Sequence, residues 1–173
     1  MRKRPYYDSA QAPYRYEGAI LEAIHRFKYG SRDFLAQGLG PLLAGFVNQR
    51  FEAVESGLIM PIPLHPKRVQ ERGFNQSLLL ARHVARALQM ELDFLTLRRV
   101  RYTPPQASLA RKERRQNVRG AFELIRPDRV KDRVVLLVDD VVTTGHTLDE
   151  CARELRTAGA AKVFGFSLAR AGR

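Results

Sequence analysis

Five apolar residues, Val134 to Val138, run without a break into two adjacent carboxylates, Asp139 and Asp140. Val-Val-Thr-Thr-Gly-His-Thr follows, ending at Thr147. A short apolar run with no polar alternation, β-branched at Val134, Val135 and Val138, fits a central parallel strand buried on both faces. In open parallel sheets ligands bind beyond the carboxyl ends of the strands. The two acids therefore stand where a ligand is expected. They can accept hydrogen bonds from vicinal hydroxyls or hold a hard cation such as Mg²⁺ through oxygen.

The next residues suit a different part of a ligand. Thr143, Thr144, Gly145, His146 and Thr147 lead into a helix expected over about 148–158 and stopped by Gly159. Thr147 and Glu150 have the spacing of a capping box. A tight loop opening a helix offers phosphate its backbone N–H groups and the positive end of the helix dipole. Gly145 permits close backbone approach, and the threonine hydroxyls add donors. Hydroxyl acceptors followed by a phosphate cradle describe a site for a ribose 5-phosphate. His146 reads as a solvent-facing loop residue, because such a cradle relies on N–H donors. A receiver domain would carry its acidic pair near the N-terminus, with a phosphoacceptor on a later strand, whereas 33 residues follow Asp140 here. No G-x-x-x-x-G-K-[ST] occurs, so a P-loop is unsupported.

The rest of the chain supplies the sheet. Leu58 to Ile62 is short and apolar and predicts a buried strand. His65 to Gly73 reads as a polar loop. Phe74 to Gln89 repeats apolar residues at Leu78, Ala81, Val84, Ala85 and Leu88, an amphipathic helix. Strands are expected at Phe94 to Leu97, Ala121 to Ile125 and Lys162 to Leu168. Strands alternating with helices predict an α/β fold with a mostly parallel sheet. Ahead of them, Glu17 to Lys28 has helical spacing at Ile20, Ile24 and Phe27. A second helical stretch, Phe34 to Phe51, is interrupted near Gly38, Gly40 and Pro41. Residues 1–55 thus read as a small N-terminal helical cap, and 56–173 as the core domain.

Composition narrows the classes. A 173-residue chain, 45% hydrophobic and 28% charged, can bury a real core. No apolar run approaches the ~20 residues needed to cross a bilayer, so no membrane insertion is expected. The first 16 residues are basic but lack the apolar segment of a secretory signal, so the expectation is cytoplasmic. The single cysteine, Cys151, leaves no disulfide framework and no cysteine-based zinc site in this chain, and reads as a small residue on a helix. The net charge of +12 predicts attraction to polyanions.

Two basic segments could supply that attraction. Lys67, Arg68 and Arg72 cluster after the Leu58 to Ile62 strand, where an anionic ligand would need cations. From Arg98 to Gly120 there are eight Lys or Arg residues against one acid, Glu113. A long basic insertion suggests a lid over an anionic ligand. A solvated basic helix and a nucleic-acid contact are the alternatives, although the only aromatics there, Tyr102 and the nearby Phe122, make a poor stacking platform.

The strand, acidic pair and Thr/Gly loop resemble the phosphoribosyl-pyrophosphate (PRPP) motif of the type I phosphoribosyltransferases. Arg-Gly-Phe-Asn-Gln at 72–76, the pattern from Thr103 to Phe122, and the Tyr16 to Tyr29 segment narrow the resemblance to the ComF family (competence protein F). It covers the chain from about Tyr16 onward. The resemblance implies a type I phosphoribosyltransferase-like sheet. Asp139 and Asp140 would anchor the ribose as catalytic residues and would meet Mg²⁺, residues 143–147 would hold the 5-phosphate, and Lys67, Arg68 and Arg72 the pyrophosphate. It implies transfer of a phosphoribosyl group from PRPP to an acceptor, in DNA uptake or nucleotide metabolism. The alternative is a non-catalytic PRPP sensor, or an accessory protein that binds single-stranded DNA or a competence helicase. The family's cysteine-rich zinc module ahead of the Tyr-x-Gly segment has no counterpart in these residues. Thr143 stands where several purine phosphoribosyltransferases carry an aspartate base, which weakens a purine-salvage role.

Overall fold

The computed structural model describes residues 4–28, 32–103 and 116–172. The sheet is parallel throughout, as the apolar runs predict. Its main strands are β3 (Gly57–Pro61), β7 (Val134–Val142) and β8 (Lys162–Arg170). The strand order is β1-β8-β7-β3-β4, with β4 at Glu91–Leu92 on one edge. β1 (Ser9–Gln11) and β2 (Tyr14–Arg15) both pair with β8. Residues 9–15, within the segment expected to be helical, therefore extend the sheet instead.

Helices cover both faces. On one lie α1 (Gly18–Lys28), α2 (Ala36–Arg50) and α4 (Gln76–Leu88), packed on Ile59, Leu136, Val138, Phe166 and Leu168. On the other lie α5 (His146–Thr157) and an antiparallel hairpin of β5 (Leu97–Arg99) and β6 (Phe122–Leu124). These pack on Leu58, Met60, Val135, Leu137 and Val163. Neighbouring residues of one strand thus feed opposite cores, as the period-2 alternation of side chains requires. That explains a run with no polar member.

Three expectations are corrected by packing. The break expected near Gly38, Gly40 and Pro41 is absent, and α2 runs through all three. Gly40 is a contact: a Cβ there would lie 2.2 Å from the His83 ring of α4. The stretch expected as a polar loop contains a helix, α3 (Pro66–Arg72). His65 caps it by accepting from Lys67 N–H through Nδ1, Pro66 sits in its first turn, and Gly73 ends it at φ 87°. Of the strand expected at Phe94 to Leu97, Leu97 is the first residue of β5, and 94–96 form a tight turn in which Asp93 accepts from the N–H groups of Leu95 and Thr96. Residues 104–115 of the basic insertion lie outside the described residues.

Candidate functional site

The chain passes from β3 through α3 and α4 to β4 on one side, and later returns to place β7 on the other. Strand order reverses between β3 and β7, and such a switch point opens a crevice beyond the strand ends. The floor of this crevice is the end of β7. The acids lie within the strand: Asp139 pairs with Ser167, and the ladder runs on to Val142 opposite Arg170. β7 is four residues longer than its apolar core because β8 is equally long.

The acids have unequal surroundings. Asp140 is buried, 3% exposed. Its Oδ2 has the Lys28 ammonium at 2.5 Å, and its Oδ1 accepts a long bond of 3.4 Å from Gln76. Burial opposes the Asp140 charge, but the Lys28 ammonium outweighs it and holds the carboxyl below its ordinary range. Lys28 is likewise opposed by burial, yet Asp140 holds its pKa above the ordinary lysine value. Asp139 accepts from Ser77 Oγ at 2.9 Å and from the Asp140 N–H at 2.9 Å. Burial, and then the neighbouring Asp140 charge, push its carboxyl up to about 8. The two carboxyls are thus driven apart: Asp140, paired with Lys28, favours its charged form, and Asp139, buried beside that charge, favours its protonated form.

The Arg-Gly-Phe-Asn-Gln stretch wires α3 and α4 to this floor. Arg72 donates to Gln76 Oε1 at 2.8 Å, and Gln76 reaches Asp140. Phe74 packs on Phe27 of α1, centroids 5.7 Å apart. Asn75 caps α4 through Ser77 N–H and donates to the Ile62 carbonyl. Lys67 and Arg68 lie over the Tyr102 ring, 4.7 and 5.3 Å from its centroid, and Arg68 pairs with Glu71. The three cations predicted for pyrophosphate are thus gathered on α3, beside the segment that leads into the basic insertion.

The Thr143–Thr147 loop, expected from the sequence to hold a phosphate, opens α5 one turn beyond the acids. Thr143 is exposed; Thr144, Gly145, His146 and Thr147 are half-buried. Gly145 is the N-cap, at φ 79°, where only glycine is unstrained. The capping box expected from Thr147 and Glu150 does not form: α5 begins at His146 with no side-chain cap. Glu150 instead accepts from Gly120 N–H and pairs with Arg153, because the hairpin's return strand arrives there. His146 is not simply solvent-facing. It lines a cavity of about 590 Å³ with Tyr6, Arg119, Asp149, Glu150 and Arg153, while neither acid, Lys28 nor any α3 cation borders that cavity. Cys151 is buried, and burial raises its thiol pKa, so it packs and is not a nucleophile.

Among the described residues, the buried side-chain atoms without a hydrogen-bond partner are Asp140 Oδ2, Thr144 Oγ1 and Arg99 Nε. Lys28 serves the first as a charge partner, off hydrogen-bond geometry. Folded chains satisfy nearly all buried polar atoms, so each exception calls for an explanation. Here the first belongs to the floor of the crevice, the second to the loop that opens α5, and the third to a side chain within electrostatic range of Asp139. Lys28, Ser77 and Arg99 were not identified from the sequence as site residues. Lys28 carried a faint signal, being a lysine directly after a core phenylalanine at the end of an amphipathic helix.

A family model described as the phosphoribosyl transferase domain matches residues 75–170. Competence protein F of Haemophilus influenzae is 33% identical over 99% of this chain and 76% of its own length. The chain belongs to the ComF family. Other relatives of this ComF-family chain are longer than the part they share with it. DNA utilization protein YhgH of Escherichia coli K12 is 36% identical over 86% of this chain and 66% of its own length. Competence protein ComFC of Streptococcus pneumoniae is 30% identical over 94% and 68%. Among solved structures, the allosteric regulatory enzyme of purine biosynthesis superposes on 76% of this chain and 25% of its own, with a TM-score of 0.51 at 22% identity. That likeness shows the fold alone, a type I phosphoribosyltransferase-like sheet. No helix among the described residues is long and apolar enough to cross a membrane.

Proposed function

We propose that this chain binds PRPP in the crevice and transfers its phosphoribosyl group to an acceptor, in a process tied to DNA uptake. The unsatisfied buried polar atoms around one switch-point crevice carry this reading. Asp139 and Asp140 meet the ribose hydroxyls. The Thr143–Thr147 turn takes the 5-phosphate on α5's first N–H groups and on the unpartnered Thr144 hydroxyl. Lys67, Arg68 and Arg72 face the pyrophosphate. Catalysis is then positioning and charge stabilisation as C1 gains oxocarbenium character and pyrophosphate leaves. The relatives' names, competence protein and DNA utilization protein, support the tie to DNA uptake.

The described residues contain no group of three or more His, Cys, Asp or Glu placed to hold a metal ion. Two carboxylates, one already paired with Lys28, fit an ion delivered on substrate phosphates, the usual habit of Mg²⁺. Asp139 and Asp140 would face it, and the ion would neutralise charge developing on the leaving pyrophosphate.

Calorimetric titration of PRPP with Mg²⁺ tests the reading. Saturable binding by wild type that Asp139→Asn loses, with an unchanged melting temperature, is the expected result; a folded wild type that does not bind PRPP refutes it. The +12 charge favours a second reading, in which the basic surface binds single-stranded DNA. That binding would weaken steeply with salt and survive Asp139→Asn.

A further inference from the structure

Lys28 is the last residue of α1, and the buried Phe27 before it holds that helix end against Phe74, ring centroids 5.7 Å apart. Its Nζ lies 2.5 Å from Asp140 Oδ2, and it makes no other ion pair or hydrogen bond among the described residues. The Lys28 side chain keeps 22% exposure and that of Asp140 only 5%, so the lysine is the member of the pair more open to a ligand. Asp140 Oδ2 accepts no hydrogen bond, whereas its Oδ1 is met by Gln76, and Asp139 by Ser77.

A carboxylate only accepts, and an ammonium only donates, with three N–H groups to place. Asp140 Oδ2 can take one of the three and leaves the others without an acceptor. A hydroxyl both gives and takes hydrogen bonds, so it is the neutral group that suits an acceptor and a donor side by side. Two atoms within hydrogen-bond reach of the same oxygen lie no more than about 5.5 Å apart. A sugar hydroxyl that donates to Asp140 Oδ2 therefore comes close enough for Lys28 to donate to it after a small swing of a flexible side chain.

We propose that Lys28 is a specificity-determining residue: its ammonium donates to the sugar hydroxyl that Asp140 Oδ2 accepts from, so the end of α1 helps the site select a hydroxylated ribose over a deoxy sugar. This inference rests on the PRPP reading of the crevice. A hydroxyl satisfies both members of the pair at once. A bare ring carbon at that place would leave a buried carboxylate oxygen and an ammonium short of partners, which is the costly case in a buried site.

The test titrates wild type, Lys28→Met and Lys28→Gln with ribose 5-phosphate, 2-deoxyribose 5-phosphate and 3-deoxyribose 5-phosphate, below the melting temperature of each protein. Lys28→Met should lose roughly tenfold to a hundredfold in ribose 5-phosphate affinity, the range for a charged hydrogen bond. For one of the two deoxy sugars, the one that lacks the hydroxyl Lys28 serves, the substitution should cost little or nothing. That coupling between side chain and hydroxyl is a readout that a merely structural role does not move. Lys28→Gln keeps a neutral donor and guards the test against a Lys28→Met that fails to fold; its coupling should fall between those of the other two proteins. An equal loss for all three sugars in either variant is a general effect of charge or stability and overturns the assignment. A gain in ribose 5-phosphate affinity shows that Lys28 blocks Asp140 from the ligand, and overturns it too. Both results leave the crevice reading standing. A folded wild type that binds none of the three sugars refutes the crevice reading, and the role of Lys28 falls with it.

Discussion

Lys28 and Asp140 tie the end of the first helix to the floor of the crevice through one buried ion pair. Lys28→Met deletes the cation and leaves Asp140, 3% exposed, with the long bond from Gln76 and its neighbour Asp139 but no counter-charge from Lys28. Removing one partner of a buried pair costs about 3–5 kcal/mol. The Lys28 side chain keeps 22% exposure, so water screens part of the interaction and the lower end, about 3 kcal/mol, is expected. For a chain of this length that lowers the melting temperature by about 6–12 °C. Asp140→Asn strands an ammonium that can still reach water, and should cost less, about 1–3 kcal/mol. Lys28→Met combined with Asp140→Asn removes both charges and should recover about 2 kcal/mol relative to the sum of the single losses. Urea denaturation of the four proteins gives this coupling directly. Single losses that simply add, or that each stay below about 1 kcal/mol, would show that the ion pair does not hold α1 to the site. The pH dependence follows from the two shifts. Asp140 is depressed, so its contribution is present above about 4 and lost as pH falls through the folded value. Lys28 is raised, so its contribution is present below about 10.4 and lost as pH rises through the folded value.

Two more outcomes follow from named contacts. Asp139, pushed up to about 8, keeps a proton on folding that the unfolded carboxyl releases near 4, so stability of the ligand-free protein should fall as pH rises between these values. Denaturation from acid to neutral pH should show this slope in wild type and a flatter one in Asp139→Asn; equal slopes would refute the shift. Gly40→Ala drives a Cβ to within 2.2 Å of the His83 ring and should cost about 1–3 kcal/mol by chemical denaturation, whereas Gly38→Ala, with nothing within 4 Å, should be neutral or stabilising.

The Arg-Gly-Phe-Asn-Gln stretch shows how much of the site was legible and where legibility stopped. Its position after a buried strand is enough to place it at the crevice beyond the strand ends. The role of each residue is not in the pattern. Gly73 ends a helix that reads as a loop, Phe74 faces a phenylalanine 47 positions earlier, and Gln76 meets an aspartate 64 positions later. The expected capping box failed for the same reason. Thr147 and Glu150 satisfy a local rule, but the hairpin brings Gly120 N–H to Glu150, and that tertiary bond takes the carboxylate. Gly40 misled in the opposite direction, since its helix-breaking tendency is outweighed by the close approach it allows between α2 and α4.

By itself the sequence determined the parallel sheet, the strand that carries the acids, and the turn that opens the next helix. These are local properties: apolar runs, glycine at a positive φ, and the order of elements along the chain. Only the tertiary structure decided the charge state of the acidic pair. Lys28, Ser77, Gln76 and Arg99 lie 40 to 112 positions from Asp139 or Asp140 along the chain and come within reach only when α1, α4 and the hairpin close on the sheet. A carboxylate's pKa is set by burial and by the charges within a few ångströms, and no spacing rule encodes those distances.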